Sequence, residues 1–299
     1  VSGNKRVYYA CLGVAPCGTT GFTRVISGSL SFDRSYKNIF TRGNRNPIAT
    51  WGEIPNVDFT YSQYLTSFVP LANEVGINSF TGFDLFVGDD TAENLTNPIL
   101  GARCSLALLE SVTYNLPVDG FFTVERKYKG VSKPAYSPGD GVPAASGILS
   151  KREYYVSGLP AKLNNNPIQN ISISFSINRN TIEQFATRKP YASVINYPIE
   201  TNVTFEVLNQ NGESYTADAN ITACQNPTSN KENISISLCE GGGITIPNAY
   251  LVSLNYSGGE ANSNSNQTIT ASFVSYDVEN SSSIKPVILT PEPEDDPCS

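Results

Sequence analysis

Residues 26–61 read ISGSLSFDRSYKNIFTRGNRNPIATWGEIPNVDFTY, and residues 171–207 read ISISFSINRNTIEQFATRKPYASVINYPIETNVTFEV. Both open on alternating residues, Ile26/Gly28/Leu30/Phe32 in the first and Ile171/Ile173/Phe175/Ile177 in the second. Alternation with period two is the mark of a strand that buries one face. Asp33-Arg34-Ser35 or Asn178-Arg179-Asn180 follows, then a short segment ending in Phe40 or Phe185. Pro47 and Pro190 come next, with Pro55 and Pro198 each eight residues farther on. An alternating run through Val57/Phe59 or Val203/Phe205 closes each stretch. We read the two as one fold encoded twice.

The ends of the halves match as well. Val112–Tyr114 precedes a turn and the strand Phe122–Tyr128, while Leu254–Tyr256 precedes a longer turn and the strand Thr270–Tyr276. This alignment lays Arg34 over Arg179 and Tyr128 over Tyr276. Period-2 runs at 23–32, 56–64, 105–114, 121–128, 169–177, 200–207, 232–238, 249–256 and 267–276, with turn residues between them, predict antiparallel sheets. Short helices are expected at 35–41 and 180–187, where Ser35 or Asn180 can cap the first turn. The expected fold is therefore mainly β: two tandem duplicated antiparallel β-sandwich or barrel domains, each with a short flanking helix. Copy 1 spans 1–130 and copy 2 spans 148–285. The segment 131–147, rich in Pro, Gly and Ser, reads as a linker, and the acidic, Pro-rich 286–299 as an extended tail. The poorly matching middles, 62–110 and 208–248, are expected to hold different loops.

Composition removes whole classes of chemistry. The 299 residues contain no histidine, which rules out histidine triads, HExxH zinc sites and Cys2His2 fingers. Charged residues are only 16% of the chain, too few for a coiled coil or a disordered polyelectrolyte. The net charge is −7. Bases and acids balance over 1–130, and Glu292, Glu294, Asp295 and Asp296 add acidity to the tail. No basic footprint for gripping nucleic acid is present. No apolar run approaches the ~18–20 residues that span a bilayer, and no basic start precedes an apolar core, so no signal peptide is expected. The six cysteines, at 11, 17, 104, 224, 239 and 298, form no CxxC pair and read as free thiols of a protein folded in a cytoplasm. Eight N-x-S/T sequons occur at about the rate that a chain rich in Asn, Ser and Thr produces by chance.

Few residues invite a chemical role. Gly241–Gly243 lacks the Lys and hydroxyl of a phosphate loop and reads as a strand connector. Ser282 and Lys285 have the spacing of a nucleophile pair but sit beside the tail. Asp89, Asp90 and Glu93 are the closest carboxylate cluster; a solvated turn explains them better than a calcium site or a glycosidase pair. Trp51, the only tryptophan, reads as a packing residue, and Pro55 and Pro198 as matched structural positions. Arg34 and Arg179 stand out as guanidinium forks after matching strands, holding loop carbonyls or carboxylates either within a domain or across to its neighbour. We expect no catalytic residue, no cofactor and no metal.

The repeated pattern resembles the tail tube proteins of long-tailed bacteriophages. The resemblance rests on SLSFDR at 29–34, VTY at 112–114 and VDGFFTV at 118–124, and on SFSINR at 174–179, Pro190-Tyr191 and NVTF at 202–205. It covers about two thirds of each half. It implies a β-sandwich with a flanking helix that polymerises into rings stacked as a tube. Most such subunits carry one domain and form hexamers; a two-domain chain implies a trimer that is a pseudo-hexamer. Implied partners are further copies, other tail proteins and DNA passing through the lumen unbound, in a virion tail assembled in the host cytoplasm. A distal tail ring, a capsid-decorating protein and a secreted tandem-sandwich adhesin are the competing readings.

Overall fold

In the computed structural model the described residues are 11–16, 25–43, 45–53, 55–65, 67–88, 100–131, 135–136, 154–159, 163, 166–183, 190–209, 231–238, 242–257, 267–276 and 287–288. The first half runs through β1 (Cys11–Pro16), β2 (Val25–Asp33), β3 (Tyr36–Ile39), β4 (Ala49–Gly52), β5 (Asn56–Tyr64), β6 (Thr81–Gly88), β7 (Leu100–Pro117) and β8 (Thr123–Gly130). A two-residue β9 (Ala135–Tyr136) follows. The second half contains β10 (Tyr154–Ser157), β11 (Ile168–Ser176), β12 (Arg179–Glu183), β13 (Pro190–Ile195), β14 (Glu200–Leu208), β15 (Lys231–Leu238), β16 (Gly243–Ser257) and β17 (Thr268–Ser275), with β18 (Val287–Ile288) after it. All the pairings described are antiparallel. The chain is mainly β, as the alternation predicts.

Among the described residues thirteen strands form one sheet in the order β10-β15-β16-β17-β14-β11-β7-β8-β5-β2, with β6 and β9 on β7 and β1 on β6. The pairing order β1-β6-β7-β8-β5-β2 of the first half recurs as β10-β15-β16-β17-β14-β11 in the second. The irregularities recur too. The β7–β8 ladder slips between Leu109 and Ser111, and the β16–β17 ladder slips between Leu251 and Ser253. The two orders meet where β7 pairs with β11, so the sheet runs unbroken past the expected linker. β7 and β16 each carry one strand along their first part and another along their second. A bulge in a long strand lets it bend from one layer into the next. In the first half this folds β6 over the sheet, where Phe83 stacks on Phe59 at 5.0 Å between centroids and lies 4.3 Å from Tyr128. Buried apolar side chains from both halves form a single cluster.

Both expected helices are corrected. Residues 36–39 and 179–183 are the largely exposed strands β3 and β12, paired in hairpins with β4 and β13; 184–187 lie outside the described residues. A seven- or eight-residue helix cannot repay its nucleation cost in water, and Tyr, Asn, Ile and Thr are mediocre helix formers. Pairing with the segment that returns through Pro47 or Pro190 satisfies the same backbone groups. Part of 131–147 is also ordered, since Ala135–Tyr136 pairs with Arg103 and Ala102. The tail starts as a strand as well, Val287 and Ile288 pairing with Ser193 and Ala192. Gly242, with φ of +73°, ends the connector into β16.

Strand pairing also corrects the sequence alignment. Phe32 pairs with Val57 as Phe175 pairs with Thr201, and Ser35 accepts from Glu53 as Asn178 accepts from Asn196. Laid on these pairs, Arg34 falls on Ile177 and Tyr36 falls on Arg179. A two-residue slip keeps every side chain on its face, so alternation cannot detect it. Tyr128, paired with Leu109, corresponds to Phe273, paired with Leu251, and not to Tyr276, which lies beyond the end of β17.

Candidate functional site

At the joint between β7 and β11 a buried strand pairing, a buried ion pair and an arginine from the second half come together. Ile171, Ile173 and Phe175 of β11 pair with Leu116, Tyr114 and Val112 of β7, and all six are buried. The rings of Tyr114 and Phe175 meet edge to face across the joint, and Phe68 meets Tyr114 in the same way. Phe68 belongs to the segment 67–80, which lies over the buried face and contains one turn of 3-10 helix at Leu71–Asn73. That segment is fixed by Glu74. Arg126 of β8 donates to both oxygens of Glu74, at 2.7 and 2.8 Å, and the Tyr114 hydroxyl donates to one of them at 3.2 Å. Burial works against the Arg126 charge, yet Tyr61 and Glu74 beside it hold its pKa above the usual arginine range. The sequence carries half of this signal: Arg126 occupies the apolar phase of Phe122, Val124 and Tyr128. Glu74 follows no periodic pattern, and no sequence argument finds it.

Arg179 binds across the joint. Its Nε donates to the Leu109 carbonyl at 3.2 Å and its Nη2 to the Ile77 carbonyl at 2.7 Å, both in the first half of the chain. Burial pulls its pKa down to about 10, and Nη1 has no hydrogen-bond partner among the described residues. Arg179, Pro55 and Pro198 line one cavity of about 700 Å³, together with Glu110, Lys129 and Tyr197. Arg34 stands apart. Its Nε donates to the Glu53 carbonyl at 3.2 Å, within the β3–β4 hairpin, and its guanidinium lies over the Tyr36 ring. Of the two readings open to the arginines, Arg179 makes the contact between halves and Arg34 the contact within one. Trp51 lies in β4 opposite Lys37.

The other face of the sheet is polar from β2 to β16. Ser31, Asp58 and Lys129 stand in register across β2, β5 and β8. Lys129 meets buried Leu108 of β7; the row through Thr113 instead joins Ser27, Ser62 and Glu125 on one side to Ser174, Asn202 and Val274 on the other, and Ser172, Thr204, Ser272 and Ser253 form the adjacent row. Its charges are Asp33, Asp58, Glu110, Glu125, Glu200 and Glu206 against Lys127 and Lys129. Lys127 is held by Glu110 at 2.8 Å and Asp58 at 3.8 Å. The face is hydroxyl-rich and net acidic.

Cys104 is a free thiol in the core, which burial pushes up to about 12. Asp89, Asp90, Glu93, Gly241, Ser282 and Lys285 lie outside the described residues. Among the described residues no group of three or more carboxylate, thiol or imidazole side chains is placed to hold a metal ion. No described helix is long and apolar enough to cross a membrane. Comparison with protein-family models finds no match, and comparison with curated proteins finds none either.

Proposed function

We propose that this chain is a structural subunit built by duplication of one β domain, which assembles by its sheet edges into trimeric, pseudo-hexameric rings that stack as the tail tube of a bacteriophage. Copy 1 and copy 2 are the two domains of the unit, and their flanking elements are hairpins. The observation that carries the reading is the recurrence of one pairing order in both halves, joined edge to edge through β7 and β11. A sheet extended this way by a repeated joint has no natural end within one chain, and closed symmetry is the usual way to remove open edges. The polar, net acidic face suits a wall past which DNA slides. Each phosphate-neutralising Lys or Arg would add binding free energy through counterion release, and this face has few unpaired ones. Other copies and other tail proteins are its partners, and the virion tail is its place. No catalytic role is proposed.

Negative-stain microscopy of the purified protein tests the reading. Rings with three-fold or apparent six-fold symmetry, or tubes of stacked rings, are expected. A protein that stays monomeric at high concentration, and that no nucleating tail component assembles, would overturn it. So would affinity for duplex DNA at physiological salt.

A further inference from the structure

We infer that the β2 edge of one molecule pairs antiparallel with the second part of β16 in another molecule, Phe32 opposite Leu254 and Leu30 opposite Tyr256. The inference rests on the ring reading above and names the contact that closes it. The internal joint supplies the template. β7 pairs with β8 on one side; its other side carries β6 up to Ala107 and β11 from Ser111 onward. β16 is built alike, with β17 on one side and β15 on the other as far as Tyr250. Beyond Tyr250 that second side carries no strand among the described residues. β2, the counterpart of β11, ends the sheet and pairs with β5 alone among the described residues.

Burial points to the same occupant. At the internal joint Phe175 is 7% exposed and Tyr114 is 1% exposed; their counterparts Phe32 and Tyr256 are 40% and 50% exposed. The β3–β4 hairpin extends the open surface with exposed Tyr36, Ile39, Phe40 and Ile48, whereas its counterpart β12–β13 buries Ala192 and Ile195. Superimposing the joint's register on the open edges sets apolar against apolar, as above. It also sets Ser31 against Asn255 and Ser29 against Ser257, matching Ser174 with Thr113 and Ser172 with Asn115. A second copy of this chain therefore fits both edges, head to tail. Tyr36 stands where the internal joint has Arg179, so the contact between molecules lacks the guanidinium clamp. Rigid internal joints then alternate with weaker ones between molecules, and rings open and close at the weaker.

Disulfide trapping tests the register. In the internal joint the Ile177 amide donates to Glu110 and the Val118 amide to Gln169, which makes Ser174 and Thr113 a non-hydrogen-bonded pair. Such pairs have Cα atoms ~4.5 Å apart, within disulfide reach. Ser31→Cys and Asn255→Cys variants, purified separately and oxidised together, should give a covalent dimer that neither gives alone beyond the wild-type background. The double variant should give a ladder ending at the closed ring. Leu30→Cys with Asn255→Cys should stay uncrosslinked, because the two side chains leave opposite faces. Rings without the Ser31–Asn255 crosslink would overturn this contact and leave the ring reading standing. Self-crosslinking of Ser31→Cys alone would overturn it in favour of a two-fold contact. Absence of both rings and crosslink would remove both.

Discussion

Replacing Arg126 by Leu should cost more than replacing Arg126 and Glu74 together. The side chains of the pair are only 6% and 3% exposed, and two short hydrogen bonds join them. Removing one partner of such a pair leaves the other charge buried, at a cost of about 3–5 kcal/mol. Arg126→Leu leaves the Glu74 carboxylate with the Tyr114 hydroxyl as its remaining donor of the three. Glu74→Leu leaves the guanidinium facing Tyr61, its charge 5.9 Å from the ring centroid. The double variant removes both charges, and replacement of a buried pair by apolar side chains is neutral to mildly stabilising in comparable cases. The double variant should therefore recover at least about 3 kcal/mol of the summed single losses, a large coupling. Urea unfolding of the four proteins measures it. For a chain of this size a loss of ~3 kcal/mol moves the midpoint by about 1 M. The joint should report the damage too. The 67–80 segment presents Gly76 O to the Leu109 amide at 2.9 Å and Ile77 O to Arg179, so hydrogen exchange at Leu109 should accelerate in Arg126→Leu. Additive losses, with coupling below ~0.5 kcal/mol, would mean that water reaches the pair and that the reasoning fails.

Arg179→Ala removes two charge-assisted bonds between the halves and should cost about 2–4 kcal/mol, whereas Arg34→Ala, with one long bond inside an exposed hairpin, should cost under ~1 kcal/mol. Equal shifts in the urea midpoint would refute the assignment of Arg179 to the joint. Burial raises the pKa of Tyr61 to about 12, holds Tyr114 higher still, and lifts Tyr128 well above the usual tyrosine range. The folded state therefore keeps protons that the unfolded chain releases near pH ~10, so this stability is complete below that pH and is lost as pH rises toward 12. Tyrosinate absorbance should show these three ionising only with unfolding; smooth titration of all tyrosines in the folded protein would contradict it.

The strands whose two faces differ chemically were legible in the sequence, because Ile171, Ile173 and Phe175 alternate with Ser172 and Ser174 as a half-buried strand must. β6 carried the same signal in Phe83 and Leu85, inside a stretch read as loop. The hairpins β3–β4 and β12–β13 were hidden because β3 and β12 are largely exposed and keep no apolar phase, although β13 buries Ala192, Ser193 and Ile195. The placement of Arg34 and Arg179 was half legible. Their motif drew attention to both, yet the short match DRS/NRN set them in one place when pairing sets them two residues apart. Period-2 logic is blind to even slips, and only the hydrogen-bonded partners across the hairpins resolve them. The Glu74–Arg126 pair joins residues 52 apart in sequence, a separation over which no local pattern operates.

The polar face carries the remaining step from sequence to function. Alternation forces every second residue of eight adjacent strands onto one surface, and the chain fills that surface with Ser, Thr and Asn more than with charge. Neutral hydroxyls hydrate a wall without attracting counterions. The six carboxylates on it repel a phosphate backbone only within a Debye length of ~8–10 Å. Lys127 is committed to Glu110 and Asp58, so a base that would otherwise bind phosphate is neutralised in place. In the tube reading proposed above, the same alternation therefore does two jobs. The apolar phase seals one joint inside the chain and leaves a matching pair of edges outside it, while the polar phase makes a surface that DNA can pass without adhering. A one-residue slip at the joint would exchange the two phases along the whole of β11, so in that reading register at the joint decides both assembly and passage.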